Sequence, residues 1–241
     1  MNNILIGTSG WMYKSWQGDF YPEGLKPADE LHYYSEEFDT VEINNSFYKL
    51  PTPETFSNWA NQVSEGFTFA VKASRYLTHV KRLKDADGPV DNVYSNASHL
   101  NSKLGPILVQ LPPRWSKNLE RLEQFLSLTQ SIKDAKWAIE FRDESWHSED
   151  VYHLLKKYEA ALCIADSYKL LRHDRVTADF SYIRYHGQTP HDAPNYTTAE
   201  LKREGKKIKM LSSQVDQIFV YFNNDAKGNA IRNAKKLREL L

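Results

Sequence analysis

Cysteine is almost missing: Cys163 stands alone among 241 residues, so no intrachain disulfide can form. Its setting, Ala161-Leu162-Cys163-Ile164-Ala165, reads as a small core side chain rather than a nucleophile. Long apolar runs are missing too. No stretch approaches the ~20 residues of a membrane-spanning helix, and Ile4-Leu5-Ile6 begins so soon after Met1 that a cleavable leader has no room. The expected setting is therefore a reducing cytoplasm with no membrane partner. Charge of one sign is also lacking, because 31 basic and 31 acidic residues cancel. That removes any global pull toward nucleic acid or an anionic surface. The local run Lys81, Arg82 and Lys84 reads as a solvated loop face, with phosphate contact as its alternative. No low-complexity linker divides the chain, so residues 1–241 are expected to form a single domain.

What is present is aromatic and apolar material, 6 Trp, 14 Tyr and 11 Phe within a 41% hydrophobic share, ample for a full core. It falls into two alternating patterns. Short apolar runs at residues 4–6, 40–43, 67–72, 107–111, from 137 onward, 162–165, 182–186 and 218–222 predict eight strands. Helical spacing separates most of them: Leu31, Tyr34 and Phe38; Phe56, Trp59 and Val63 behind the cap Thr52-Pro53; Val93, Ala97, Leu100 and Leu104; Leu119, Leu122 and Leu126. The series continues with Val151, Leu154, Leu155 and Tyr158, then Leu201, Ile208 and Leu211 in a helix weakened by Gly205, then Ile231, Ala234 and Leu237. Residues 73–90 form a long excursion, residues 167–181 have a weaker helical period, and a loop with Pro190, His191 and Pro194 follows the seventh strand. Eight strands joined mostly by single helices imply parallel pairing through right-handed crossovers. The expected fold is an α/β (β/α)8 TIM barrel with an irregular crossover between strands six and seven. An open doubly wound sheet is the alternative.

The stretch Trp137-Ala138-Ile139-Glu140-Phe141-Arg142 sharpens the expectation. Residues two apart share a strand face, so Trp137, Ile139 and Phe141 look one way while Ala138, Glu140 and Arg142 look the other. Active sites of such barrels lie at the C-terminal strand ends. There the inward parity offers Thr8, Glu42 and Asn44, Lys72, Gln110, Glu140 and Arg142, Asp166, Arg184 and His186, and Asn223, in strand order. The opposite parity is apolar, with Val41, Ile43, Phe69, Val71, Val109, Ile183, Val220 and Phe222 placed to meet the helices. Trp11, Tyr13, Trp16, Tyr48 and Trp146 follow strands one, two and five and are expected around the mouth, stacking on a ligand or capping the barrel.

These residue types have definite chemistry. Glu42, Glu140, Asp166 and His186 are the candidates for acid–base work, since carboxylates in unlike surroundings titrate apart and an imidazole transfers protons near neutrality. Lys72, Arg142 and Arg184 suit a carboxylate or phosphate, with Thr8, Trp11, Tyr13, Asn44, Tyr48, Gln110, Trp146 and Asn223 completing the binding set. The competing explanation is an ionic lattice of three acids against three bases, although such lattices stabilise poorly beside apolar packing. No cofactor is expected. A divalent metal on Glu42, Glu140, Asp166 and His186 is the lesser alternative, opposed by the cations in the same ring and by the absence of a close-spaced ligand motif, the remaining histidines being scattered. Function is expected to be that of a hydrolase, lyase or isomerase acting on a small polar or anionic substrate, such as a sugar phosphate or nucleotide. The alternative is a non-catalytic module binding a phosphate-bearing ligand or nucleic-acid end.

An ordered set of motifs carries a family resemblance: Gly7-Thr8-Ser9-Gly10-Trp11, Phe20-Tyr21-Pro22, Thr40-Val41-Glu42-Ile43-Asn44, Ser46-Phe47-Tyr48, Leu77-Thr78-His79, Val109-Gln110-Leu111-Pro112-Pro113, Glu140-Phe141-Arg142, Ser145-Trp146, Arg184-Tyr185-His186-Gly187 and Tyr221-Phe222-Asn223-Asn224. Together they resemble the YecE-like family, domain of unknown function 72, across nearly the whole chain. The resemblance implies a TIM barrel and adds no catalytic assignment. The sequence departs from the family pattern after Asp166, where Ser167-Tyr168-Lys169-Leu170 lacks the usual prolines.

Overall fold

Eight parallel strands alternate with helices in a computed structural model that describes residues 3–132, 134–188 and 194–241. The strands are β1 (Ile4–Thr8), β2 (Thr40–Ile43), β3 (Thr68–Lys72), β4 (Leu104–Gln110), β5 (Trp137–Glu140), β6 (Ala161–Ser167), β7 (Phe180–Gly187) and β8 (Gln217–Phe222). The helices are α1 (Glu30–Glu37), α2 (Pro53–Asn61), α3 (Asp87–Ala97), α4 (Leu119–Thr129), α5 (Glu149–Lys157), α6 (Thr198–Leu211) and α7 (Asn229–Leu240). Pro190 and His191, placed by the sequence in a loop, lie outside the described residues.

Strand order runs β1-β8-β7-β6-β5-β4-β3-β2, and the two ends meet to make a nearly closed (β/α)8 barrel. The seam between β1 and β2 is bridged at Ser9 and Glu42, with Gly10 N–H donating to Glu42 O at 2.8 Å. Gly7 permits this approach: a Cβ there would lie 2.1 Å from the Thr40 carbonyl oxygen. The open doubly wound sheet is thereby excluded.

Strand parity sorts the core into layers. Val41, Ile43, Phe69, Val71, Ile183, Val220 and Phe222 pack with the helices on one flank, and Val109, Ile139 and Phe141 on the other. Inside the barrel, Ala70, Ala138, Ala161 and Cys163 face Phe180, Tyr182, Phe219 and Tyr221. Small residues on β3, β5 and β6 make room for rings from β7 and β8, so the interior is packed rather than hollow.

Local chemistry sets several element ends. Thr52 accepts from Thr55 N–H, with Pro53 in the first turn of α2, and Thr197 with Glu200 forms a capping box on α6. Leu104, expected on a helical stripe, instead opens β4, because Asn101 at φ 55° breaks the short turn Ser98–Lys103. The excursion after β3 contains a wide turn, Tyr76–Val80. Between β6 and β7 the described chain forms no helix. Thr177 Oγ1 ties that crossover down, accepting from Leu162 N–H and donating to Ala160 O, both at 2.7 Å. Among the described residues, no helix is long and apolar enough to cross a membrane.

Candidate functional site

β7 places Arg184 at the centre of the barrel's C-terminal end, fully buried. Its two terminal nitrogens reach different carboxylates: one donates to Glu42 Oε1 at 2.8 Å, the other to Glu140 Oε2 at 2.6 Å. Both glutamates are also fully buried. Glu42 accepts further bonds from Ser9 Oγ at 2.7 Å and Tyr182 Oη at 2.6 Å. Glu140 accepts from Gln110 at 3.0 Å and pairs with Arg142. Burial would raise both carboxyls, but Arg184 beside Glu42, and Arg142 with Arg184 beside Glu140, outweigh it. Glu42 ends below the usual carboxylate range and Glu140 well below it. Both are therefore ionised at neutral pH in this arrangement.

Above that lattice lies a layer with partial access to solvent. Arg142 donates to His186 Nε2 at 2.9 Å, and the Asn223 amide lies 3.1 Å from Nδ1. A guanidinium only donates, so Nε2 is assigned as the acceptor; Nδ1, which faces Asn223 Nδ2, then carries the ring proton when that amide is turned to present its oxygen. Burial and then Arg184 push the His186 pKa down to about 4, so the ring is neutral at pH 7. Lys72, from the end of β3, extends its ammonium 4.3 Å from the centre of the Phe47 ring. Burial and Arg184 lower it to about 8. Two carboxylates balance two guanidiniums here, which leaves Lys72 as excess positive charge. Among the described residues its Nζ has no hydrogen bond and no ion pair. Arg142 Nε and Arg184 Nε are buried donors that also have no hydrogen-bond partner among the described residues.

The structure thus brings together Glu42, Lys72, Gln110, Glu140, Arg142, Arg184, His186 and Asn223, and places other candidates elsewhere. Thr8 faces the helices, with its hydroxyl on Gly10 O at 2.7 Å and Tyr34 at 2.9 Å. It follows Ile6 in parity, so Ser9 is the inward residue of that strand end. Asp166 also looks outward: it accepts from Tyr196 Oη at 2.6 Å and from Gln188, beside a cavity of about 170 Å³ that Glu204 and Lys207 help line. Cys163 and Ala165 hold the inward parity of β6, with Cys163 Sγ 3.9 Å from Glu140. The metal set Glu42, Glu140, Asp166 and His186 therefore does not converge. Instead Glu144, His147 and His173 bring three ligand atoms within 4.8 Å of one another. A separation of 26 positions hid this pair of histidines from spacing arguments.

The aromatic candidates divide. Trp146 is fully buried, stacked on Phe141 at 5.0 Å, with its ring N–H on Trp115 O at 2.6 Å. Trp16 is equally buried and donates to Asp225. Trp11 packs edge-on to Trp59 at 5.1 Å. These indoles cap the barrel instead of offering a stacking face. Tyr13 anchors its hydroxyl on Ser9 O at 2.5 Å, and with Asn44 it borders a cavity of about 150 Å³. Tyr48 is 83% exposed. Ser9 and Tyr182 were missed in the sequence, although Tyr182 shares the parity of Arg184 and could have been found that way.

Residues 5–241 match the family described as "Protein of unknown function DUF72". The chain belongs to the DUF72 family. It is 26% identical over 272 residues to UPF0759 protein YunF of Bacillus subtilis (strain 168), covering 99% of this chain and 94% of that protein. UPF0759 protein YecE of Escherichia coli (strain K12) is 29% identical over 124 residues, 51% of this chain and 43% of YecE. Among solved structures, a DUF72 family protein from Thermotoga maritima MSB8 superposes with a TM-score of 0.88 at 28% identity, covering 98% of each chain. Another, from Enterococcus faecalis V583, shares the fold at 20% identity with a TM-score of 0.85, covering 99% of this chain and 95% of its own. These names describe kinship and fold, and attach no reaction to this DUF72 chain.

Proposed function

We propose that the barrel mouth is an enzymatic site for a small anion of sugar-phosphate size, working by proton transfer. The observation that carries this reading is Lys72, a partly buried ammonium that forms no ion pair among the described residues and adds one positive charge to a lattice whose two carboxylates are already matched by two guanidiniums. An unpaired charge in such a place costs stability unless a ligand answers it. The unpartnered Nε groups of Arg142 and Arg184 add donors of the same sign. With a pKa of about 8, Lys72 exchanges protons near physiological pH. His186 is a neutral acceptor whose orientation Arg142 and Asn223 hold. In this scheme Glu42 and Glu140 are positioning residues that keep Arg184 in place and set the local potential, instead of the acid and base.

A panel of sugar phosphates, nucleotides and dicarboxylates, followed by thermal unfolding, tests binding. Anions are expected to raise the melting temperature of the wild type and to leave Lys72→Met unmoved. Proton NMR in deuterated water then reads turnover as solvent exchange into a bound anion. Binding without exchange across the panel would leave only the non-catalytic module. A preference for neutral sugars would end the anion reading altogether.

A further inference from the structure

Away from the barrel mouth lattice, the loop after β5 and the helix-less crossover between β6 and β7 bring Glu144, His147 and His173 together. We propose that these three side chains form a divalent metal site of the zinc class. His173 Nε2 lies 2.9 Å from Glu144 Oε1, a separation that two ligands about 2.0 Å from a shared ion would subtend. The His147 and His173 rings lie 3.8 Å apart and nearly parallel, at 9°. His147 Nδ1 is 3.3 Å from the Tyr152 hydroxyl. A proton on that Nδ1, donated to Tyr152, leaves the Nε2 lone pair for an ion, the outer-shell arrangement that orients metal-binding imidazoles. Because in-plane lone pairs of parallel rings do not converge, binding requires His147 to rotate out of the stack until its lone pair meets that of His173 at one ion. Glu144, with its side chain 53% exposed, swings freely to meet it.

The donor set decides the ion. Two imidazoles and one carboxylate suit Zn²⁺ or its neighbours, whereas Ca²⁺ and Mg²⁺ want oxygen throughout. Three protein ligands leave a fourth, open position on the solvent side. The ion would also staple a crossover that has no helix of its own. Protein bonds already hold that segment at other points, with Arg175 pairing Glu149 at 3.0 Å and Arg172 pairing Glu204 of α6. Because Glu144 lies two residues beyond Arg142, stapling would stiffen the loop that follows the anion-binding layer.

The test uses the full chain without a histidine tag, stripped with chelator and titrated with Zn²⁺ against a chromogenic competitor. Co²⁺ serves as a spectroscopic stand-in. One ion per chain is expected, with visible Co²⁺ bands of four-coordinate intensity. His147→Gln and His173→Gln should each weaken Zn²⁺ binding by at least about 100-fold, and Glu144→Gln by about 10-fold. The metal-free melting temperature should stay close to wild type in His173→Gln and Glu144→Gln, because both side chains are partly exposed. Should His147→Gln unfold, His173→Gln carries the comparison alone. Absence of stoichiometric uptake, or wild-type affinity in His173→Gln, would overturn the proposal.

Discussion

Replacing Lys72 with Met should make the protein more stable while abolishing its anion binding. Among the described residues the ammonium forms no ion pair, and its pKa falls from 10.5 to about 8, with burial the largest cause and Arg184 the next, against the smaller opposing pull of Glu42 and Glu140. At about 1.4 kcal/mol per unit, that shift amounts to about 3 kcal/mol of penalty on the charged form in the fold. Lys72 is only half-buried, so solvent relieves part of it, and an expected gain of about 1–2 kcal/mol is realistic. Met keeps the stem on the Phe47 ring and replaces the ammonium by a polarisable sulfur. The sign with pH is definite. At pH 7 both folded and unfolded Lys72 carry a proton, so the penalty is present; as pH rises through 8 toward 10.5 the folded group loses its proton first and the penalty fades. Urea unfolding at pH 7 and pH 10 reads both effects through the midpoint at constant slope. A variant less stable than wild type at pH 7, or a gain that grows with pH, would refute the reasoning.

Other perturbations probe the layers beneath. Glu140→Gln strands Arg142 and Arg184 without their shared counter-charge, and a loss of about 3–5 kcal/mol in denaturant unfolding is expected; a loss below about 1 kcal/mol would contradict the lattice. His186 stays neutral in the fold down to about pH 4, whereas the unfolded ring takes up its proton near 6.5. Stability should therefore fall as pH drops below 6.5, by at most about 3 kcal/mol at pH 4, and His186→Gln should flatten that slope. An unflattened slope would place the titrating group elsewhere. Gly7→Ala sets a methyl 2.1 Å from the Thr40 carbonyl oxygen and must force β1 from β2, for a loss of about 1–3 kcal/mol or more by thermal unfolding; a neutral result would mean the seam is slack.

Strand parity carried most of the legible information. It placed Glu42, Lys72, Glu140, Arg184 and His186 on the inner face because a strand has a strict period of two, and a ladder of parallel strands keeps that period in register. It misled at Thr8 and Asp166. Thr8 follows Ile6 onto the helix side, and Asp166 follows Ile164, so each stands one place off the inner parity of its strand. Partnering was not legible, because it depends on where a long side chain ends. Arg184 reaching two carboxylates from different strands, and His147 stacking on His173 across 26 positions, are tertiary facts without a local signature. The indoles of Trp16 and Trp146 illustrate the same point, since an aromatic after a strand can cover the helix layer as readily as it can line a mouth.

The idea that Lys72 is the free charge of an anion site is tested most directly by sulfate titration calorimetry at pH 8 in two buffers of different ionisation enthalpy. Sulfate is proton-silent there, so any proton taken up on binding belongs to the protein. With a pKa of about 8 Lys72 is about half protonated at that pH, and a bound anion must raise its pKa, so uptake of roughly half a proton per sulfate is expected, falling toward zero at pH 6 and vanishing in Lys72→Met. Sulfate binding without proton uptake, or with the same uptake in Lys72→Met, would contradict it.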